Sequence, residues 1–269
     1  MTTHYQDAIG RNHEVAPTAR IVSLVPSLTE LLFDLGLAGN LVGRTQFCVH
    51  PKPAIDAVPS VGGTKKIDMD VLRGLDPSHV LVNIDENPKE MADDLSALGL
   101  GVVVTHPLTV ADNRELFQLI GGLFGAATVA ERLVGEFDAA LAALVAQAQT
   151  WSERRVLYLI WRKPWMTIAT DTYIADMLAL AGLKTIDTGS PDRYPEIALD
   201  TALLEKVDDV LFSTEPFPFT EKHLDAFRAE FPEHAAKARL IDAEMVSWYG
   251  SRAVPGLRYL TDFRNDFAP

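Results

Sequence analysis

The sequence predicts an α/β protein of two similar parallel-sheet lobes, joined by one long backbone helix, with a ligand cleft between them. Three observations lead there. Short β-branched runs alternate with helical segments, the pattern of a parallel sheet covered by helices. One segment, Thr128–Gln149, keeps an apolar face for about six turns, a rod of roughly 30 Å. The second half also repeats the first, most closely where the run from Val71 to Val82 stands beside that from Leu203 to Phe212. The lobes are therefore expected over 19–126 and 151–269, with the connecting helix over 127–150.

The elements follow in order. Arg20–Val25 is a β-branched strand ended by Pro26, and a helix follows in which Ser27 and Glu30 form a capping-box pair and Gly36 stops the chain. Leu41–Gly43 is a short strand, and a Pro- and Gly-rich loop runs from Phe47 to Lys66. A brief helix over Asp68–Leu75, a strand over His79–Asn83, a helix over Pro88–Leu98, a strand over Val102–Thr105 and a helix over Asp112–Phe124 complete the first half. Thr128 and Glu131 make a second capping-box pair at the start of the long segment, whose face is Val129, Leu133, Phe137, Leu141 and Leu144. That face suits a core helix as well as a connector. Strands at Arg155–Ile160, Val210–Ser213 and Arg239–Asp242 then alternate with helices at Tyr173–Ala181, Asp200–Lys206 and Glu221–Phe231, and Arg252–Phe267 is a helical tail. Residues 1–19 show no periodicity and are expected to lack order.

Composition narrows the function. With 269 residues, 48% of them apolar, the chain can bury two cores, and a net charge of −13 leaves no basic stripe to neutralise nucleic-acid phosphates. Cys48 is the single cysteine, so no internal disulfide forms. No apolar run approaches the roughly 20 residues that cross a bilayer. Residues 1–19 lack the basic start, apolar stretch and small-residue cleavage site of a secretory signal, so the chain as written is expected in the cytoplasm, and in the periplasm if translation starts upstream or the sequence is trimmed.

Candidate binding residues lie in loops that follow strands, where open α/β sheets place their ligands. Pro26 and Ser27 open a helix and are either a mild anion site or a plain cap. Cys48 and His50 are two residues apart and could contribute to a soft metal site, though they lack further ligands at recognisable spacing. The Val61–Lys66 turn, with Thr64 and Lys65, lacks the spacing of a phosphate loop. Asn83–Asn87 sets two amides and two acids, Glu86 among them, at a strand mouth. The second half is richer in aromatics: Trp161, Arg162, Trp165 and Met166, then Tyr194, then Glu215, Phe217 and Phe219, then Trp248, Tyr249 and Arg252. Aromatic walls with a few fixed polar groups describe a pocket for a large, partly planar ligand. Of the seven histidines, His79 starts a strand and reads as structural, and no nucleophile–base pair can be named from spacing.

In order along the chain, the run from Arg20 to Glu30, Leu41–Thr45, Val61–Thr64 and Leu75–Leu81 resembles the helical-backbone (class III) substrate-binding proteins of ABC importers, nearest the cobalamin-binding and iron-complex receptors. The resemblance implies two α/β lobes holding a metal complex, with cobalamin or another corrinoid favoured and haem or an iron–siderophore complex next, and with no cofactor required. It implies a pocket including Phe47, Thr64, Asn83, Met166, Tyr194, Trp248 and Arg252, and docking on a transporter permease through one acid per lobe, Asp70 and Asp200. At Thr64, Asn83 and Met166 this chain departs from the aromatics of the cobalamin receptors, and Trp161, Arg162, Trp165, Phe217 and Phe219 stand in compensation. The alternative is a metal-dependent or chelatase-like enzyme with Glu86, Cys48 and His50 facing a metal in the same cleft.

Overall fold

The structure, a computed structural model, describes residues 4–267. The chain divides into two compact units: 1–107, 111–137 and 249–252 form the first, and 108–110, 138–248 and 253–269 the second.

The first unit opens on a hairpin of β1 (His4–Gln6) and β2 (Asn12–Glu14). This corrects the expectation of an unordered start. Asp7, just past β1, is buried; its carboxylate meets His13 Nε2 at 3.0 Å and accepts N–H bonds from Ile9, Arg11 and Val104. Burial pushes the Asp7 carboxyl up, but these bonds prevail and hold it below its ordinary range. The strands are three residues long and polar, so no periodicity announces them; the tertiary bonds carry the order.

Then come β3 (Ile21–Ser23), α1 (Pro26–Asp34), β4 (Leu41–Arg44), α2 (Met69–Gly74), β5 (His79–Asn83), α3 (Lys89–Ala97), β6 (Gly101–Thr105) and α4 (Asn113–Leu123). The four strands from β3 to β6 form a parallel sheet in the order β4-β3-β5-β6. Val22, Leu24, Val80, Val82, Val102 and Val104 pack on Leu72 and Leu95 to form its core. Val104 N–H bonds to Asp7 and Val104 C=O accepts from Ala8 N–H, so the chain beside the hairpin covers the open edge of β6. His79 is structural as expected: its ring bonds Ser78 Oγ and lies edge-on to Phe124, and a Cβ on Gly101 would strike it. At α1, Ser27 and Glu30 form no capping box. The cap residue is Val25, without a side-chain bond, and Ser27 lies inside the first turn.

The long helix α5 spans Ala127–Ala148, with residues to Phe137 in the first unit and from Asp138 in the second. Thr128 is its second residue rather than its cap. The buried positions are Ala130, Leu133, Phe137, Ala140 and Leu144, with Val129 and Leu141 only half-buried. The buried stripe keeps the expected step of three and four but passes through two alanines.

The second unit holds β7 (Arg154–Leu159), β8 (Trp165–Met166), α6 (Tyr173–Leu180), β9 (Leu183–Thr185), β10 (Glu196–Ile197), α7 (Thr201–Leu204), β11 (Asp209–Ser213), α8 (Glu221–Glu230), β12 (Ala238–Ile241), α9 (Ala243–Ser247) and α10 (Ala253–Asn265). Its parallel sheet runs β12-β11-β7-β9, and β8 pairs antiparallel with β10 in a small ribbon the sequence did not announce. Numbered by appearance within each unit, both sheets have the order 2-1-3-4. The internal repeat is thus a repeat of topology. In each unit the strand order reverses between the first and third strands, and ligands of such sheets sit beyond the carboxyl ends of that pair.

Candidate functional site

In the first unit the reversal lies between β3 and β5. The loop after β5 is built by its two asparagines. Asn83 N–H donates to Asn87 Oδ1 (2.9 Å) and Asp85 N–H to Asn83 Oδ1 (2.8 Å), while Asn87 Nδ2 donates to Leu24 C=O (3.3 Å) and Thr64 C=O (2.9 Å). Asn83, expected to face a ligand, is buried instead, with its amide donating to Thr105 Oγ1. Nor does Asn87 cap α3, whose cap residue is Pro88. The amides are braces for the turn that carries Asp85 and Glu86.

Glu86 Oε1 accepts a 2.8 Å bond from the Tyr249 hydroxyl, and burial, followed by the Glu86 charge, pushes the Tyr249 phenol well above its ordinary range. Lys65 Nζ donates to Asp85 C=O (3.2 Å), and His106, just beyond β6, lies 3.5 Å from Asp85 Oδ1. Phe47 is 52% exposed and borders the Gly62–Gly63 turn, where a Cβ on Gly63 would lie 3.4 Å from its ring. Gly62 has φ +114° and its Cβ would meet Lys66 O at 2.9 Å, so the turn admits only glycine. Thr64, through its carbonyl, and Lys65 are thus brought against the Asn83–Asn87 loop, with Phe47 beside the same turn.

Arg252 differs from expectation. Its Nε and Nη2 donate to the two oxygens of Glu30 at 2.8 and 2.7 Å, so its charge is answered by a carboxylate already in the unit. Burial pushes the Glu30 carboxyl up, against the pull of Arg252. Glu30 was hidden in the sequence because its spacing from Ser27 imitates a capping box. His106 was missed too, although it directly follows the strand expected over Val102–Thr105.

Cys48 is buried and accepts a 3.0 Å hydrogen bond from Thr29 Oγ1, with Thr45 Oγ1 at 3.2 Å. Burial pushes its thiol up, away from the thiolate a metal needs. Among the described residues no group of three or more His, Cys, Asp or Glu could hold a metal ion, so the Cys48–His50 pairing does not become a metal centre.

In the second unit the reversal lies between β7 and β11. The chain after β7 doubles back: Met166 N–H donates to Trp161 C=O and Ile160 N–H to Met166 C=O, with Lys163 in the left-handed region (φ +66°) between them. Strain of this kind clusters at functional loops. Phe217 N–H donates to Ile160 C=O, and its ring meets Trp161 edge-on at 5.6 Å. Trp161 is 39% exposed. Ser213 Oγ, at the end of β11, ties Leu159 C=O and Glu215 C=O. Glu215 Oε1 accepts a 2.6 Å bond from the indole N–H of Trp248.

Three aromatic expectations need correction. Phe219 is 2% exposed and Trp165 stacks on it at 6.1 Å, nearly parallel, with both packed on Phe212. They belong to the core of this unit, and Arg162 covers the Trp165 ring at 5.7 Å. Trp248, 7% exposed, is likewise more buried than a free wall. Met166 and Tyr194 are half-buried, Met166 in the β8–β10 ribbon and Tyr194 two residues before β10.

The two acids expected to dock a transporter, Asp70 and Asp200, do not occupy matching places on their helices. Asp200 caps α7, its Oδ1 accepting from Leu203 N–H (2.8 Å). The equivalent cap of α2 is Asp68, whose Oδ1 accepts from Val71 N–H (3.1 Å); Asp70 lies inside the first turn, its side chain 94% exposed and 3.0 Å from Arg73 Nη1.

Each sheet thus turns a carboxylate, held by an aromatic hydroxyl or indole donor, toward its carboxyl edge: Glu86 with Tyr249, and Glu215 with Trp248. A profile of the periplasmic binding protein family matches residues 21–241, most of the chain. The chain belongs to that family. As a periplasmic binding protein it is 23% identical over 198 residues to the vitamin B12-binding protein of Photorhabdus laumondii, covering 74% of this chain and 72% of that one. The Vibrio cholerae vitamin B12-binding protein is 23% identical over 199 residues, covering 74% and 71%. Among solved structures, the V. cholerae periplasmic vitamin B12-binding protein BtuF has a TM-score of 0.78 at 19% identity, covering 93% of this chain and 97% of that one. The haem-binding protein RhuT of Roseiflexus sp. RS-1 has 0.79 at 21%, covering 93% and 98%. Membership of a family of binding proteins decides against the enzyme reading, and among the described residues no helix is long and apolar enough to cross a membrane.

Proposed function

We propose that this periplasmic binding protein takes up a corrinoid, cobalamin or a close analogue, ahead of haem or an iron–siderophore complex, and presents it to an ABC-importer permease. One observation carries the choice among ligands: the loops at the two strand-order reversals offer carboxylates, Asp85 and Glu86 in one unit and Glu215 in the other, while Arg252 is neutralised by Glu30. Acidic loops favour a ligand rich in amide N–H donors and disfavour one bearing two propionates, since like charges brought together cost energy. In the second unit the exposed Trp161–Phe217 pair would supply apolar contact to a flat macrocycle. The names of the curated relatives point the same way. Thr64, Lys65, Met166 and Tyr194 complete the proposed surroundings of the ligand, and Asp70, Asp200 and the cap residue Asp68 are the acids offered to a basic permease surface.

An export compartment, the periplasm, belongs to the same proposal. The test is an absorbance titration of the purified chain with cyanocobalamin, haem and a ferric siderophore. Saturable binding of cyanocobalamin with weaker haem binding supports the reading; tight haem binding with none of cyanocobalamin overturns it.

A further inference from the structure

At the amino ends of the second sheet, far along the strands from their carboxyl edge, three guanidinium groups surround one carboxylate. Asp209 opens the central strand β11 and is 1% exposed at its side chain. From β7 on one side Arg154 Nε reaches its Oδ2 at 2.5 Å, and from β12 on the other Arg239 Nε reaches its Oδ1 at 2.7 Å. Arg264 of α10, itself buried, donates to Ala181 C=O and Ser152 C=O. All three guanidinium groups lie over the ring of Phe267, at 5.5, 4.0 and 4.8 Å from its centroid for Arg154, Arg239 and Arg264.

Counted with Arg155, four guanidinium groups face two carboxylates, Asp208 and Asp209, and leave an excess of two positive charges in a chain whose net charge is −13. The neighbouring Asp208 is engaged with Arg155, and among the described residues Glu153, Asp262 and Asp266 form no ion pair with the three arginines. Burial and then the nearby Arg154 hold the Arg264 guanidinium below its ordinary range, with Asp209 opposing and Arg239 adding to the depression. Because Asp209 takes only the Nε of Arg154 and of Arg239, the terminal amino groups of both meet no acceptor among the described residues, and the side chains stay 31% and 28% exposed. A guanidinium held by Nε presents a fixed fork of donors to a tetrahedral oxyanion.

From this geometry we infer that the amino edge of the second sheet is a second binding site, for the anionic phosphoryl group of a small phosphate compound or of a lipid headgroup. The excess positive charge draws the anion, Arg154 and Arg239 supply the forks, Asp209 fixes their separation, and Phe267 holds both planes from behind. The site is separate from the loops proposed for the corrinoid.

The test is calorimetric titration of the full chain with inorganic pyrophosphate, beside co-sedimentation with phosphatidylglycerol and phosphatidylcholine vesicles. Saturable pyrophosphate binding that weakens with added salt is expected, lowered at least about tenfold in Arg239→Gln and less in Arg239→Lys. Binding of phosphatidylglycerol vesicles alone, lost in Arg239→Gln, assigns the site to a headgroup. If Arg239→Gln melts early, Arg154→Lys, which keeps the charge but loses the fork, replaces it and should weaken binding severalfold. No saturable binding of either probe by wild type, or equal affinity in the folded variants, overturns the inference.

Discussion

The two units share a strand order but not a chemistry. At the reversal of the first sheet the loop is a hydrogen-bonded frame: Asn83 and Asn87 are its struts, Asp85 and Glu86 its half-buried acids, and Glu30 with Arg252 an ion pair. At the reversal of the second sheet the frame is aromatic: Phe212, Phe219 and Trp165 pack beneath, and Trp161 with Phe217 stands above. Topology places loops at an edge, and the side chains decide what the edge can bind. In the polar frame specificity rests on donors and acceptors whose loss leaves a buried group unpaired. In the aromatic frame it rests on area, where a truncation removes contact without stranding a charge.

That contrast can be broken in four ways. The largest effect is expected beneath the aromatic frame. Phe219→Ala should cost about 3–5 kcal/mol of stability, as for a buried aromatic, read as a lowered midpoint of denaturant unfolding. A loss under about 1 kcal/mol would return Phe219 to the pocket wall. Next comes the ion pair. Arg252→Ala strands Glu30 in a site where burial already raises its pKa, and a destabilisation of about 2 kcal/mol is expected. The double variant with Glu30→Gln should recover part of it, and a double-mutant cycle without coupling would show the pair to be idle.

Trp161→Ala is expected to leave the melting temperature within a degree or so while weakening cyanocobalamin binding about tenfold, near 1.4 kcal/mol. A variant that melts early yet binds as wild type would place Trp161 in the core with Trp165. The smallest effect concerns the hairpin of the first unit. The Asp7 carboxyl lies below its ordinary range in the folded chain, so folding favours its ionised form. Its contribution is therefore present above about pH 4 and is lost as the pH falls through the folded value. In Asp7→Asn the difference in stability between pH 6 and pH 3 should shrink, as measured by urea midpoints at each pH; an unchanged difference would remove Asp7 from the acid response.

Where the sequence was read correctly, the signal was local. His79–Asn83 was legible as a strand to the residue, and the helices of both units other than the unannounced α9 lay within a residue or two of their expected bounds, because β-branched runs and three-four periodicity report a buried face directly. The repeat of the halves was legible because each half must bury its own sheet. The family followed from short motifs at strand ends, and so did the set of loops that could meet a ligand.

What only tertiary structure decided was which side of a loop each side chain takes. Trp161 and Trp165 are four residues apart in one turn, yet one is exposed and the other stacks on Phe219, because the chain doubles back between them. Glu30 reads as a capping-box partner until Arg252, 222 residues away, claims it, and Asp209 stands just outside the expected strand Val210–Ser213, yet arginines from both neighbouring strands close on it. The hairpin at 4–14 has no local signal, since its order comes from Asp7 binding Val104 across 97 residues. Local pattern reports burial against water, which each segment meets alone, whereas partner choice depends on which groups the fold carries to within about 3 Å, and no segment holds that information by itself.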